Sequence, residues 1–143
     1  DPDLAFVAIS AATARPSMGG GAVVEDEGSE SRPYHFQRAW IRQRLRAQPE
    51  QLRVMHVEGD SMLPTLQDGD IVLVDLQRRS PTPPGIFVLY DGMGLVAKRL
   101  EHIPGSEPPR VRVISDNPRY SPYECTSEEA NIIGRIRWFA REI

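Results

Sequence analysis

The sequence predicts a mostly-β domain of curled antiparallel sheets with one short helix. Short apolar runs of strand length recur along the chain, at residues 52–57, 71–74, 86–90, 95–100, 111–114 and 132–139. Clusters of Gly, Pro, Asp and Asn separate them, and these residues break regular structure. One stretch, residues 34–48, places Phe36, Trp40, Ile41 and Leu45 at a helical period, and Pro49 ends it. Short strands with one small helix fit a sheet that curls or closes toward a barrel.

In chain order, residues 1–32 are mixed. Residues 4–14 are small and apolar and read as a short strand running into a loop. Pro16-Ser-Met-Gly-Gly-Gly21 is expected to be irregular, because fixing three glycines costs much entropy. Residues 22–24 form a minimal strand, and 25–31 are acidic and solvated; a flexible tail is the plainest account of the region. The 34–48 helix spreads Arg38, Arg42, Arg44 and Arg46 over several faces, which fits the solvated side of a docked helix. Residues 77–84 read as a polar, proline-rich loop. Residues 85–100 read as a hairpin turning at Asp91-Gly-Met-Gly94. A turn at 103–109, an Asx-type turn at Ser115-Asp-Asn-Pro118 and a loop at 122–129 complete the pattern.

Composition excludes several classes. A chain of 143 residues, 40% hydrophobic and 26% charged, suits one soluble domain with its own core. No apolar run has the length of a membrane span, and Asp1-Pro-Asp3 lacks the basic start of a secretory signal. The single cysteine, Cys125, forms no internal disulfide, which fits a reducing cytoplasm. No Cys/His cluster has metal-ligand spacing and no Gly-rich loop joins a strand to a helix, so neither metal nor cofactor is expected. A net charge of −3 argues against nucleic-acid binding by this chain itself, and nothing reads as a helix-turn-helix.

The chemistry centres on His56-Val-Glu-Gly-Asp-Ser-Met-Leu-Pro-Thr-Leu-Gln-Asp-Gly-Asp-Ile-Val-Leu-Val-Asp75. It sets Ser61 on a turn between two strands. An ordinary connection has the same look, so the reading depends on a base for the hydroxyl. Of the three histidines, His35, His56 and His102, none has an obvious orienting acid. Lys98 lies in the apolar return strand of the hairpin beside Val96, Ala97 and Leu100. Desolvation there lowers a lysine's pKa, and a neutral amine can act as general base for a serine. The bland alternative is a strand lysine that reaches out to water.

Glu58-Gly-Asp-Ser-Met-Leu-Pro-Thr-Leu-Gln-Asp-Gly-Asp70 resembles the nucleophile motif of LexA/phage CI-like repressors, the S24 class of self-cleaving Ser–Lys peptidases. Leu95-Val-Ala-Lys-Arg-Leu100 resembles their lysine strand, 37 positions beyond Ser61. Ile114-Ser-Asp-Asn-Pro-Arg-Tyr120 and Ile132-Ile-Gly-Arg-Ile-Arg-Trp138 agree with the same class. The likeness runs from about residue 17 to the end and is nearest to the C-terminal half of repressors that also carry a helix-turn-helix domain.

The resemblance implies a LexA-like fold, Ser61 as nucleophile, Lys98 as base, and the backbone N–H groups of Asp60 and Ser61 as oxyanion donors. It divides the chain into a cleavage-bearing segment, 1–32, and a peptidase and dimerisation domain, 33–143. It further implies cleavage promoted by a RecA filament in the DNA-damage response. Other implications are a cytoplasmic location without membrane attachment, and DNA contact only through an N-terminal domain outside this chain. The family's scissile bond is usually Ala-Gly; neither Ala-Gly nor Cys-Gly occurs here, and Met18-Gly19 is the nearest counterpart. Homodimers in the class pair their C-terminal strands, which nominates Trp138 and Phe139 on an exposed edge, unless Trp138 plugs the domain's own core. Two alternatives remain. Ser-Met-x-Pro-Thr also resembles the signal-peptidase box, and a non-cleaving dimerisation module switched by an antirepressor protein would keep the same residues.

Overall fold

The computed structural model describes residues 5–18, 21–28 and 33–143. Its strands are β1 (Phe6–Ile9), β2 (Ala12–Pro16), β3 (Ala22–Asp26), β4 (Tyr34–Gln37), β5 (Leu52–His56), β6 (Ile71–Asp75), β7 (Gly85–Tyr90), β8 (Leu95–Ile103), β9 (Arg110–Ile114), β10 (Tyr123–Thr126) and β11 (Ile132–Ala140). Seven form one antiparallel sheet in the order β10-β9-β8-β7-β11-β6-β5, while β1–β4 and β2–β3 pair as two smaller ribbons. The mostly-β, antiparallel expectation therefore holds. Among the described residues no helix is long and apolar enough to cross a membrane, and no cluster of His, Cys, Asp and Glu could hold a metal ion.

The central strands read as unbroken apolar runs because both faces of the sheet are covered. In β6, Val72 and Val74 join Met55, Val88, Leu95 and Ile133 in one cluster, whereas Leu73 between them joins Leu52, Val54 and Ile41 on the opposite face. Strand β7 divides in the same way. Its Val88 and Tyr90 face the first cluster, while Phe87 and Leu89 pack with Leu100, Val111 and Val113. Each such side chain contributes about 1.5–3 kcal/mol by leaving water.

The helix is shorter than its periodicity suggests. Tyr34–Gln37 is strand β4, paired with β1 from Phe6↔Gln37 to Ile9↔Tyr34, and only Arg38–Trp40 (α1) and the wider-wound Ile41–Leu45 are helical. Phe36 and Trp40 satisfy a helical spacing and a strand alternation at once. The ladder to β1, extended by the Arg38 N–H bond to Ala5 O at 2.9 Å, decides for the strand at Phe36, while Trp40 stays helical in α1. Where a short strand running into a loop is expected at 4–14 and only a minimal strand at 22–24, Ala12–Pro16 and Ala22–Asp26 pair as a β2–β3 hairpin with register Ala12↔Asp26 to Pro16↔Ala22. Ala12, Ala14, Ala22 and Val24 pack against the first cluster, and this burial offsets the cost of ordering the chain. The expected 122–129 loop contains β10, an edge strand paired with β9.

The placement of the last strand needs correction. In strand order β11 lies between β7 and β6 rather than at the edge of the sheet, but it meets β7 through Ile132–Arg135 and β6 through Arg135–Ala140, so its last residues are paired on one side only. Its imperfect alternation comes from register shifts between Ile132 and Gly134 and between Ile136 and Trp138. Trp138 is half-buried and meets Phe36 edge-on at 5.2 Å and Trp40 at 6.4 Å, so it completes an aromatic group inside its own chain. Phe139 is 45% exposed.

Candidate functional site

Ser61 stands in the turn after β5, in the connection to β6. Gly59, at φ +87°, takes a backbone conformation that a side chain rarely tolerates, and its N–H donates to Asp68 Oδ1 at 2.7 Å, which closes the connection on itself. Met62 and Leu66 anchor the turn in the first cluster, and the Leu66 N–H donates to Met62 O at 2.9 Å. The half-buried Ser61 opens on a notch of about 10 Å³ that Gly59, Met62, Leu66 and Ala97 also line.

Lys98 comes from β8 and is the only lysine in the chain; every other Lys/Arg position is arginine. It is half-buried. Burial holds its ammonium below the usual lysine range, partly offset by the charge of Asp91. Its Nζ donates to Ser115 Oγ at 2.8 Å and stands 5.5 Å from the centre of the Tyr120 ring. Among the described residues no hydrogen bond joins Ser61 Oγ to Lys98 Nζ. The three histidines are exposed.

One segment, residues 115–120, touches both Ser61's turn and Lys98. Ser115 accepts from Lys98. Asp116 takes a two-pronged contact from Arg99, at 2.9 and 2.8 Å, and accepts from Thr65 Oγ1 at 2.5 Å, so it ties the neighbour of Lys98 to the serine turn. Arg99 holds the Asp116 carboxyl below its usual range. Asn117 donates its backbone N–H to Ser61 O at 2.9 Å and its side-chain N–H to Asp60 O at 3.0 Å. Tyr120 donates a short hydrogen bond to the Asp60 carboxylate, whose bond and charge push the phenol pKa up. In sequence Ser115–Pro118 reads as an Asx-type turn within a family-like motif, with no role for its residues; the signal that was available is the density of hydrogen-bonding residues in Ser115-Asp-Asn.

The N–H groups of Asp60 and Ser61 donate to no acceptor among the described residues, whereas both carbonyls are taken. In a trans peptide the N–H points opposite to the C=O. Holding Asp60 O against Asn117 therefore aims the Ser61 N–H away from that residue. An unpaired pair of amides beside a hydroxyl is the donor set that a developing oxyanion needs.

Gly19 lies outside the described residues; Met18 is at the tip of the β2–β3 hairpin, fully exposed. Gly21, where β3 begins, lies against Asn131 and lines a cavity of about 440 Å³ with Leu76, Arg79 and Ile133. That cavity shares no residue with the notch at Ser61. Phe139 and Trp138 sit on β11, apart from these groups.

Residues 10–137 match the family model described as Peptidase S24-like. The chain is 30% identical over 125 residues to a 26 kDa repressor protein of Escherichia phage HK022, across 84% of this chain and 52% of that protein. It is 34% identical over 87 residues to an uncharacterized HTH-type transcriptional regulator of Haemophilus influenzae (strain ATCC 51907 / DSM 11121 / KW20 / Rd), across 58% of this chain and 35% of that protein. The chain thus spans about half the length of the first relative and about a third of the second.

Proposed function

Since the chain belongs to the Peptidase S24-like family, we propose that it is the regulatory part of a longer transcriptional repressor, able to cut its own N-terminal segment and to hold two copies together. The carrying observation is the segment 115–120, which bonds to the Ser61 turn and to Lys98 at once. In this reading Ser61 Oγ attacks the Met18 carbonyl while neutral Lys98 takes the hydroxyl proton. An amine that donates one hydrogen to Ser115 keeps its lone pair for that proton. The amides of Asp60 and Ser61 receive the oxyanion. Lys98 then returns the proton to the departing Gly19 amine, and water hydrolyses the acyl ester. Residues 1–32 supply the segment that is cut and 33–143 the peptidase and dimerising body. The β1–β4 pairing makes both parts of one fold.

The hairpin sets the rate. Its tip must leave the Asn131 side of the molecule and bring a carbonyl to about 3 Å from Ser61. The competent state is therefore a minor one, and a partner that binds it preferentially raises the rate in proportion to its population. A RecA filament is the partner proposed for a cytoplasmic repressor answering DNA damage, with DNA bound through a separate N-terminal domain. The relatives, a repressor and an HTH-type regulator, favour this over a membrane-anchored signal peptidase. A second reading, a dimerisation module that no longer cleaves and answers to an antirepressor, draws support from Met18 at the tip and from the cavity at Gly21 sharing no residue with the notch.

Incubation at alkaline pH followed by intact-mass measurement tests the first reading. A cut between Met18 and Gly19 is expected in the wild type and none in Ser61→Ala, which should fold normally because one half-exposed hydroxyl carries little stability. Cleavage persisting in Ser61→Ala removes Ser61 from the mechanism. No cleavage at any alkaline pH leaves the dimerisation module.

A further inference from the structure

Asn117 is one of three buried polar or charged residues among those described, and it belongs to neither the serine turn nor the lysine strand. All four of its polar groups are used. The side-chain oxygen accepts the Arg119 N–H at 3.1 Å, and the backbone carbonyl accepts the Tyr120 N–H at 3.1 Å. The other two groups, the backbone N–H and the side-chain N–H, reach consecutive carbonyls of the serine turn, Ser61 O and Asp60 O. The bond to Arg119 fixes which end of the amide is oxygen, so the nitrogen faces Asp60 O without ambiguity. A buried residue that grips two successive peptide planes by their oxygens, beside the Leu63 N–H that also reaches Asp60 O at 3.2 Å, sets the tilt of both planes, and with them the direction of the Ser61 N–H.

We propose that Asn117 is a positioning residue for the oxyanion amides: its side chain holds the Asp60–Ser61 peptide so that the Ser61 N–H faces the reacting carbonyl. This rests on the Ser–Lys reading and deepens it. No hydrogen bond joins Asn117 to Lys98, whose bonded partner is Ser115. Loss of the Asn117 side chain should thus weaken transition-state binding and leave the ionisation of the base alone. A general packing defect would disturb both.

The test uses Asn117→Ser in the 143-residue chain. A serine oxygen can still accept the amide two residues on, so the local turn survives while the reach to Asp60 O is lost. Two measurements are made beside the wild type. In a ¹⁵N–¹H spectrum the Asp60, Ser61 and Met62 signals should move while those of β5, β6 and β8 stay. Self-cleavage followed from pH 6 to pH 10 should keep its midpoint while the plateau rate falls about ten- to a hundredfold, short of the full loss of an oxyanion donor. Unmoved Ser61 and Asp60 signals overturn the proposal whether or not the chain cleaves. So does a plateau equal to the wild type, or a midpoint that shifts with it. If the wild type fails to cleave, the Ser–Lys reading fails separately, and the spectrum still decides what Asn117 holds.

Discussion

Lys98 carries a cost that its neighbours do not. Desolvation disfavours its charged form, so its folded pKa lies below the unfolded value of about 10.4. While both states are charged, the unfolded chain is the better host for the proton and the lysine destabilises the fold. As pH rises from the folded pKa toward about 10.4, the unfolded state binds more protons and the penalty disappears. Lys98→Met should therefore melt higher than wild type at neutral pH, and the gap should close as pH approaches 10. A gap that stays constant over that range refutes the depressed pKa. Because the chain holds one lysine, ¹³C labelling of lysine gives a single side-chain signal whose titration reads the same pKa directly. Arginine at this position cannot lose its proton, so Lys98→Arg should be inactive in cleavage.

Among the elements, the β2–β3 hairpin and β11 have distinct tasks. Met18 is exposed at the hairpin tip, so its side chain does not hold the resting position. Entering the notch at Ser61, lined by Ala97, Met62 and Leu66, is a different matter. A methionine is longer than the alanine usual at this position, and a confined site meets the extra length with crowding. Met18→Ala should raise the cleavage rate with no change in melting temperature; equal rates would defeat the subsite argument, and a cut outside residues 14–22 would defeat the placement of the segment. On β11, Trp138 bridges Phe36 and Trp40 across to the second core cluster. Trp138→Ala should destabilise the monomer, by less than the roughly 3–5 kcal/mol of a fully buried aromatic. Urea unfolding checks this, and an unchanged midpoint would mean that the aromatic group is not a stabilising contact.

For the whole molecule the open question is assembly. Among the described residues Ile136–Ala140 of β11 pairs with β6 alone, so a C-terminal interface has both that open side and exposed side chains such as Phe139 to use. Sedimentation at micromolar concentration should give a dimer, weakened in Phe139→Asp, whose charge is costly to bury. A strict monomer refutes the assembly proposal. Dimerisation unaffected by that change moves the interface elsewhere.

Periodicity and turn chemistry alone were enough for the strand runs, the Asp91–Gly94 hairpin turn and the β-rich class, because these are local properties of apolar spacing and of Gly, Pro and Asp. Ser61 and Lys98 were legible as candidates for the same reason: one hydroxyl in a glycine-rich turn and one lysine in an apolar strand are visible without any fold. Tertiary structure decided the rest. Phe36 belonged to a helical pattern in sequence until β1 arrived to pair with β4. Trp138 suited an edge or a core until Phe36 and Trp40 packed against it. Asn117 showed no partner in sequence, since the carbonyls it holds lie more than fifty residues away. Long-range pairing is what a local pattern cannot encode, because the free energy that selects it comes from surfaces that meet only after the chain has folded.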